Sequence, residues 1–231
     1  QADTEGMKAV GLNRGFMPFD LFTKIVDDLK EFPQKIKKIK IGNHGEPTLH
    51  PDLPKMIAYA RESKVAEIIE LFTNGSKLEP TLNKELVASG LQRVNVSLEG
   101  LSDDRYKAVA GKKIKFQGIV DGVRDLYTQK TDDLNIYVKI ADHAHALNEE
   151  STQVFVLSEE EKTYFFDTFS SICDEIFVEK VVPQWAETQD KKQNDLDSTG
   201  MYGQKIKQDK DVCPFTFMYL HFNCDGTVSP C

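Results

Sequence analysis

Three short segments of this chain combine residues that could bind a small polar ligand. Gly45-Glu46-Pro47 belongs to a glycine-rich turn whose exposed backbone groups and single carboxylate could take up an ammonium group, such as that of an amino acid. Asn74 belongs to a Thr-Asn-Gly turn, and the alternation of an extended segment would place Ser97 and Glu99 on one face. Each segment could equally be an ordinary polar turn. Their meaning therefore depends on the elements that position them.

The candidate segments fall between strand-like and helix-like runs. Short β-branched runs alternate with helical periodicities from Leu21 to about residue 182. Strands separated by helices form parallel sheets, either doubly wound or rolled into part of a β/α barrel. Both architectures bind ligands at the carboxyl ends of the strands, where the candidate segments lie. The predicted strands are Ile36–Ile41, Ala66–Thr73, Arg93–Ser97, Asn135–Ala141 and Glu175–Val182, and the predicted helices are 21–32, 51–60, Glu79–Ser89, Phe116–Gln129 and Ser158–Ser171.

A lysine lies inside one of these predicted strands. Lys139 stands between Val138 and Ile140. A lysine in an apolar strand either extends its ammonium group to solvent or meets an anion, and a position on an edge strand would favour the first alternative. Lys139 is therefore a further candidate for the carboxyl end of the sheet.

The composition is typical of a globular protein with one main domain. The chain has 231 residues, of which 40% are hydrophobic and 29% are charged, a balance that argues against disorder and membrane-spanning structure. Its net charge of −8 argues against broad electrostatic binding to nucleic acid or to an anionic membrane. Nothing after Gln1 resembles a secretory signal, so we expect a cytoplasmic protein with neither a nucleic-acid nor a membrane partner.

The last part of the chain differs in composition from the rest. Residues 186–212 are polar and predict a linker, and Phe215–Phe222 with the Asn223–Gly226 turn predicts a β-hairpin. Cys173 is expected in the core, whereas the other three cysteines lie in the final segment, at Cys213, Cys224 and Cys231. Thiolates are natural ligands of iron–sulfur clusters. A zinc site completed by His221 and a hairpin packed with reduced thiols are the alternatives.

Three motifs, in order, resemble the core of the radical S-adenosylmethionine superfamily. IKIGNHGEPTLHPDL, ELFTNGSKL and RVNVSLEGLSDDRY match that core in order and spacing between Ile36 and Arg105. The resemblance implies an α/β fold, a partial (β/α)6 TIM-like barrel that binds S-adenosylmethionine and a [4Fe-4S] cluster. His44 stands where the family often has a second glycine. The residues that the resemblance implies as cofactor-binding are Gly45, Glu46 and Pro47 for the methionine amino group, Ser97 and Glu99 for the ribose or carboxylate, and Asn74 and Lys139 at the cavity.

The three cysteines that hold the family's cluster have no counterpart here. They form a C-x3-C-x2-C loop after the first strand, and this spacing is absent from Gln1–Cys231. In the family, that loop lies just upstream of a segment like Gln1–Phe19. We therefore expect a fragment that lacks the first strand and the cluster ligands, and that is inactive by itself.

The cysteine-containing end is similar to the start of a SPASM-type extension, a module that binds auxiliary clusters in many relatives. The matching pattern is Cys213-x12-Gly226-x4-Cys231, and Cys224 falls outside it. The resemblance implies that Cys213 and Cys231 are metal ligands of a possible auxiliary [4Fe-4S] cluster. It divides the chain into a radical S-adenosylmethionine barrel over 1–185, a polar linker over 186–212 and the start of the extension over 213–231.

The function that the resemblance implies is radical chemistry. A full-length relative would cleave S-adenosylmethionine reductively to a 5′-deoxyadenosyl radical that abstracts hydrogen from a peptide or small-molecule substrate, with an electron donor such as flavodoxin or ferredoxin. Two alternatives stay open. One is a metal-free barrel lyase or isomerase that uses Glu46, Lys139 or His44 in acid–base chemistry, and the other is a degenerate barrel that serves as a binding scaffold.

Overall fold

The architecture rests on a parallel sheet, seen in a computed structural model that describes residues 15–42, 45–145, 154–181 and 215–229. The strands are β1 (Ile36–Ile41), β2 (Ala66–Thr73), β3 (Arg93–Leu98), β4 (Asn135–Ala141), β5 (His143–His145), β6 (Val154–Val156), β7 (Glu175–Glu179), β8 (His221–Phe222) and β9 (Val228–Ser229). Within the described ranges, five of them form one parallel sheet in the order β1, β2, β3, β4, β7. The pairs β5–β6 and β8–β9 are short antiparallel ribbons.

Helices alternate with the sheet strands along the chain. They are α1 (Phe19–Asp28), α2 (Leu53–Ser63), α3 (Pro80–Ala88), α4 (Asp103–Ala110), α5 (Phe116–Gln129), α6 (Glu159–Phe169) and α7 (Phe215–Met218), with short 3-10 turns at Leu29–Glu31 and Pro47–Leu49. Among the described residues, no helix combines the length and apolar character needed to cross a membrane.

Two helix starts are fixed by side chains that the sequence places at the cap position. The hydroxyl of Ser102 accepts a hydrogen bond from the backbone N–H of Arg105 at the start of α4. Ser158 and Glu161 form a reciprocal capping box at the start of α6. Both arrangements satisfy N–H groups that a helix start would otherwise leave without partners.

The two faces of the sheet are chemically different. The residues of one face are apolar and form a single core with the helices, including Leu71, Val94, Val96, Ile136 and Val138 from the strands and Met56, Ile57, Leu86, Ile119, Val123 and Phe165 from the helices. Alternation along the strands puts charged and polar residues on the opposite face. We call this second face, defined by Lys38, Lys40, Glu70, Phe72, Arg93, Asn95, Ser97, Tyr137, Lys139, Glu175, Phe177 and Glu179, the polar face.

The structure confirms the predicted parallel α/β organisation. Strands β1, β2 and β4 and helix α5 have the predicted bounds, and β7 is shorter than predicted. Helix α4 and the β5–β6 ribbon were not predicted, because each is short and lies within a polar or mixed stretch. The predicted hairpin forms between β8 and β9, but the prediction is wrong for Phe215–Met218, which is helical, since a short, mostly apolar run does not distinguish a helix from a strand. The predicted linker, 186–212, lies outside the described residues.

Gly122 of helix α5 packs closely against Leu78, in the segment that precedes α3. A Cβ at Gly122 would lie 2.9 Å from the Cβ of Leu78 and would overlap the Leu78 carbonyl oxygen. Gly122→Ala is therefore expected to lower the free energy of unfolding by about 1–3 kcal/mol, although alanine is the better helix former. Urea unfolding followed by circular dichroism measures this change.

The same helix offers a matched control. A Cβ at Gly118 would have one neighbour within 4 Å, the Cβ of Lys115 at 3.9 Å. Gly118→Ala should therefore stabilise the protein by up to about 1 kcal/mol, through helix propensity alone. Equal effects of the two substitutions would contradict the packing argument.

Candidate functional site

The turn after β1 has a backbone that only glycine adopts easily. Gly42 and Gly45 have φ values of +95° and +83°. A Cβ at Gly42 would lie 2.6 Å from the carbonyl oxygen of Phe72 and 2.8 Å from Cγ of Pro47, whereas a Cβ at Gly45 would meet no atom within 4 Å. Gly42 thus packs the turn against β2, and the backbone of Gly45 is exposed at the carboxyl end of the sheet.

Glu46 ties this turn to the end of β2. Its Oε1 accepts hydrogen bonds from the backbone N–H of Thr48 (3.0 Å), the Thr48 hydroxyl (2.5 Å) and the Thr73 hydroxyl (2.6 Å). Its Oε2 accepts one from the backbone N–H of Asn74 (2.7 Å). Two predicted site residues, Glu46 and Asn74, are therefore in direct contact.

The contacts of Glu46 also define its role within the turn. A carboxylate offers about four lone-pair sites, and four donors of this chain already use the Glu46 oxygens. Glu46 is accordingly an anchor that fixes the exposed backbone around Gly45. A direct contact between Glu46 and an ammonium group stays a prediction. Sequence reasoning missed Thr48 and Thr73, although hydroxyls beside both predicted turns were the signal that could have found them.

Four charged residues cross the polar face and form what we call the ion-pair ladder. Lys38 Nζ lies 3.5 Å from Glu70 Oε2, Arg93 Nε lies 3.1 Å from Glu70 Oε1, and Arg93 Nη1 lies 2.7 Å from Glu175 Oε1. The side chain of Glu70 is 4% exposed and also accepts a hydrogen bond from Asn95 (2.9 Å). The hydrogen bonds with Arg93 hold the pKa of Glu175 below its usual range and raise the pKa of Arg93.

Ser97 and Lys139 are neighbours on the polar face. They are in register on β3 and β4, near the carboxyl end of both strands. Lys139 Nζ lies 2.8 Å from Glu179 Oε2, and β4 is an inner strand between β3 and β7. Of the two alternatives for Lys139, the structure thus shows the one in which the lysine meets an anion.

Glu99 lies in different surroundings from Ser97. Strand β3 ends at Leu98, so the alternation that would place Glu99 beside Ser97 stops one residue early. Glu99 lines a cavity of about 40 Å³ between β3, β4, α4, α6 and the β5–β6 ribbon. Its backbone N–H donates to the Tyr106 hydroxyl (3.3 Å).

The cysteine predictions have different outcomes. Cys173 is buried in the core as predicted, and burial raises its thiol pKa to about 11. Cys224 lies in the turn between β8 and β9. The predicted ligands Cys213 and Cys231, like His44, lie outside the described residues. Within the described part of the chain, no group of three or more His, Cys, Asp or Glu residues could hold a metal ion.

A comparison with protein families identifies the family of this chain. Residues 9–164 match the family model described as the radical SAM superfamily, where SAM is S-adenosylmethionine. The chain belongs to the radical SAM superfamily. The match confirms the family that the three sequence motifs predicted.

Two curated proteins illustrate the relatives of this radical SAM chain. It is 43% identical over 100 residues to a probable GTP 3′,8-cyclase of Methanococcus maripaludis, a match that covers 43% of this chain and 32% of that protein. It is 38% identical over 87 residues to a tungsten-containing aldehyde ferredoxin oxidoreductase cofactor-modifying protein of Pyrococcus furiosus, covering 38% of this chain and 24% of that protein. The match thus spans a third or less of either relative.

Solved structures support the fold. SuiB of Streptococcus suis, a structure bound to S-adenosylmethionine, aligns with a TM-score of 0.53 at 15% identity, over 85% of this chain and 38% of that one. Coproporphyrinogen III oxidase (HemN) of Escherichia coli, a radical SAM enzyme, aligns with a TM-score of 0.51 at 12% identity, over 70% of this chain and 36% of that one. These similarities confirm the predicted TIM-like fold class.

The family implies two bound groups, S-adenosylmethionine and a [4Fe-4S] cluster. The residues at the carboxyl end of the sheet suit the first of them. The exposed, positive-φ backbone of Gly45 offers a cradle for S-adenosylmethionine, and Ser97 and the Lys139–Glu179 pair add a hydroxyl and charged groups. The [4Fe-4S] cluster has no such fit in this chain, because the sequence lacks the C-x3-C-x2-C spacing.

Proposed function

We propose that this chain forms the S-adenosylmethionine-binding part of a radical SAM enzyme that abstracts hydrogen from a peptide or small-molecule substrate. The observation that carries the proposal is the turn after β1, which hydrogen bonds from Thr73 and Asn74 to Glu46 fix beside the end of β2. When bound through ligands outside this sequence, the cluster would supply the electron for reductive cleavage of S-adenosylmethionine.

The chain's own residues would bind and orient the cofactor. The rigid backbone of Gly45 would accept hydrogen bonds from the methionine amino group, with Pro47 and Glu46 holding the turn in place. Ser97 would donate to the carboxylate or ribose, and Asn74 lies beside the same turn through its bond to Glu46. A preformed site of this kind lowers the entropic cost of binding.

The residues of the polar face are suited to binding a polar substrate. Charged groups and the aromatic rings of Phe72, Tyr137 and Phe177 share this face. Relatives described as a GTP 3′,8-cyclase and as a cofactor-modifying protein favour a small molecule over a peptide. An electron donor such as flavodoxin or ferredoxin is part of the same proposal.

The decisive experiment measures cofactor binding and cleavage. The full-length protein, including the cluster ligands proposed to lie outside this sequence, is reconstituted anaerobically with iron and sulfide, titrated with S-adenosylmethionine by calorimetry, and then treated with dithionite. We expect saturable binding and formation of 5′-deoxyadenosine. Absence of binding would overturn the proposal. Binding without cleavage would retain the binding role and reject the catalytic one for the protein as prepared.

We further propose that Cys213 and Cys231 bind an auxiliary [4Fe-4S] cluster in a SPASM-type extension. Cys213→Ala is expected to lower the iron and acid-labile sulfide content of the reconstituted protein, since thiolates are the cluster's ligands. Cys173→Ala is the matched control, because Cys173 is buried in the core and should leave the iron content unchanged. An unaltered iron content in Cys213→Ala would reject the auxiliary-ligand role.

A further inference from the structure

The end of β3 and the residues after it are held in place by the first turns of α4. We call residues 97–100, which are the last two residues of β3 and the two that follow, the β3 turn. The β3 turn includes Ser97, a proposed cofactor contact, and Glu99, a second contact that the sequence resemblance implies. The backbone N–H of Glu99 donates to the hydroxyl of Tyr106, a residue with no exposed surface. The position of the β3 turn therefore depends on α4 and not on β3 alone.

Arg105 of α4 packs against the β3 turn. A Cβ at Gly100 would overlap Cβ and Cγ of Arg105, so the aliphatic part of Arg105 packs directly on the Gly100 backbone. Gly100 is itself buried. A side chain larger than hydrogen at position 100 would push Arg105 and the turn apart.

The guanidinium group of Arg105 is fixed at its far end by two further elements. It lies 4.2 Å from the ring centroid of Phe155 on β6, and Nη2 lies 2.9 Å from Oε1 of Glu161 on α6. Glu161 cannot move freely, because its Oε2 accepts a hydrogen bond from the backbone N–H of Ser158 in the capping box (2.9 Å). Arg105 thus connects the β3 turn to the β5–β6 ribbon and to α6.

We propose that Arg105 is a positioning residue for cofactor binding, which acts by holding the β3 turn between Gly100, Phe155 and Glu161. The inference rests on the proposed function, in which Ser97 of the β3 turn contacts the cofactor. Groups that bind a ligand must be held within a fraction of an ångström, so the residue that locks them contributes to affinity without touching the ligand. Arginine suits this role, because a planar guanidinium stacks on an aromatic ring and pairs with a carboxylate at the same time.

The test uses Arg105→Lys, which keeps the charge and most of the aliphatic chain. In the anaerobically reconstituted full-length protein, we expect the dissociation constant for S-adenosylmethionine to rise about tenfold. The KM for S-adenosylmethionine should rise in parallel, while kcat at saturating cofactor stays within about twofold of wild type. A general loss of folded protein would not produce this separation of KM from kcat.

Two glutamate variants on α6 test the contact between Arg105 and Glu161. Glu161→Gln removes the partner charge, and we expect it to weaken cofactor binding in the same direction. Glu159→Gln is the matched control, because Glu159 lies in the same first turn of α6 and pairs with the surface residue Lys162. It should leave the dissociation constant unchanged. Equal effects of the two glutamate variants would overturn the inference.

The outcomes for the inference and for the proposed function are distinct. Absence of S-adenosylmethionine binding by the wild-type protein would overturn the proposed function and this inference with it. Wild-type binding with an unchanged dissociation constant in Arg105→Lys would overturn this inference alone.

Discussion

Arg93→Met is expected to lower the free energy of unfolding by about 3 kcal/mol, the magnitude typical of a broken buried ion pair. The substitution keeps much of the aliphatic volume but removes the cation that contacts Glu70 and Glu175. Glu70, whose side chain is 4% exposed, would then lose its nearest cationic partner. Its remaining partners would be Lys38 at 3.5 Å and Asn95 at 2.9 Å.

Most of this loss should come from Glu70 rather than from Glu175. The side chain of Glu175 is 48% exposed, so solvent screens its bidentate pair with Arg93 more strongly than it screens the pair of Arg93 with the buried Glu70. The double variant Glu70→Gln with Arg93→Met removes the buried charge together with its partner. We therefore expect the double variant to be more stable than Arg93→Met alone, as measured by urea unfolding.

An exposed ion pair provides the control for the ladder. Lys162→Met breaks the pair with Glu159, whose side chain is 85% exposed, and should change the free energy of unfolding by less than about 1 kcal/mol. A double variant as unstable as Arg93→Met would show that the loss of the Arg93 cation beside Glu70 is not the cause. Equal losses in Lys162→Met and Arg93→Met would likewise contradict the proposed role of burial.

Glu46→Gln is expected to lower the free energy of unfolding by about 2 kcal/mol and to weaken S-adenosylmethionine binding. Hydrogen bonds to a charged group each contribute about 1.5–3 kcal/mol. Glutamine keeps the shape of the side chain but replaces one acceptor oxygen with an NH₂ group. One amide orientation would place this NH₂ against the backbone N–H of Thr48, and the other would place it against that of Asn74.

In neither orientation do both backbone N–H groups keep an acceptor, because the amide NH₂ and the backbone N–H are both donors. One donor must therefore lose its partner, and the segment around Gly45 should shift or loosen. Calorimetry with S-adenosylmethionine and urea unfolding without it measure the two consequences separately. Glu62→Gln, at an exposed position of α2, is the matched control and should change neither quantity.

The two measurements on Glu46→Gln distinguish an anchor from a direct ligand. If Glu46 anchors the turn, stability falls in the absence of cofactor. If its only role were to bind the methionine amino group, affinity would fall while stability stayed at the wild-type value. That second result would contradict the anchor role assigned here from the contacts with Thr48, Thr73 and Asn74.

The sequence by itself determined most of the sheet and the identity of the turns. The runs that became β1, β2 and β4 are rich in β-branched and aromatic residues, and local pattern is enough to predict such strands when helices separate them. Because parallel strands place their carboxyl ends on one edge, the sequence also predicted that the turns around Glu46 and Asn74 would lie close together. The bond between Glu46 Oε2 and the backbone of Asn74 confirms that placement.

Only the tertiary structure decided what those residues do to one another. The partners of Glu46 at Thr73 and Asn74 are 27 and 28 positions away, and Arg93 pairs with Glu175 across 82 positions. Arg105 likewise meets Glu161 across 56 positions, and it lies on α4, a helix that local pattern did not predict. Such pairs follow from strand register and helix packing, which fix distances between distant segments, and a linear sequence without aligned relatives carries no direct record of those distances.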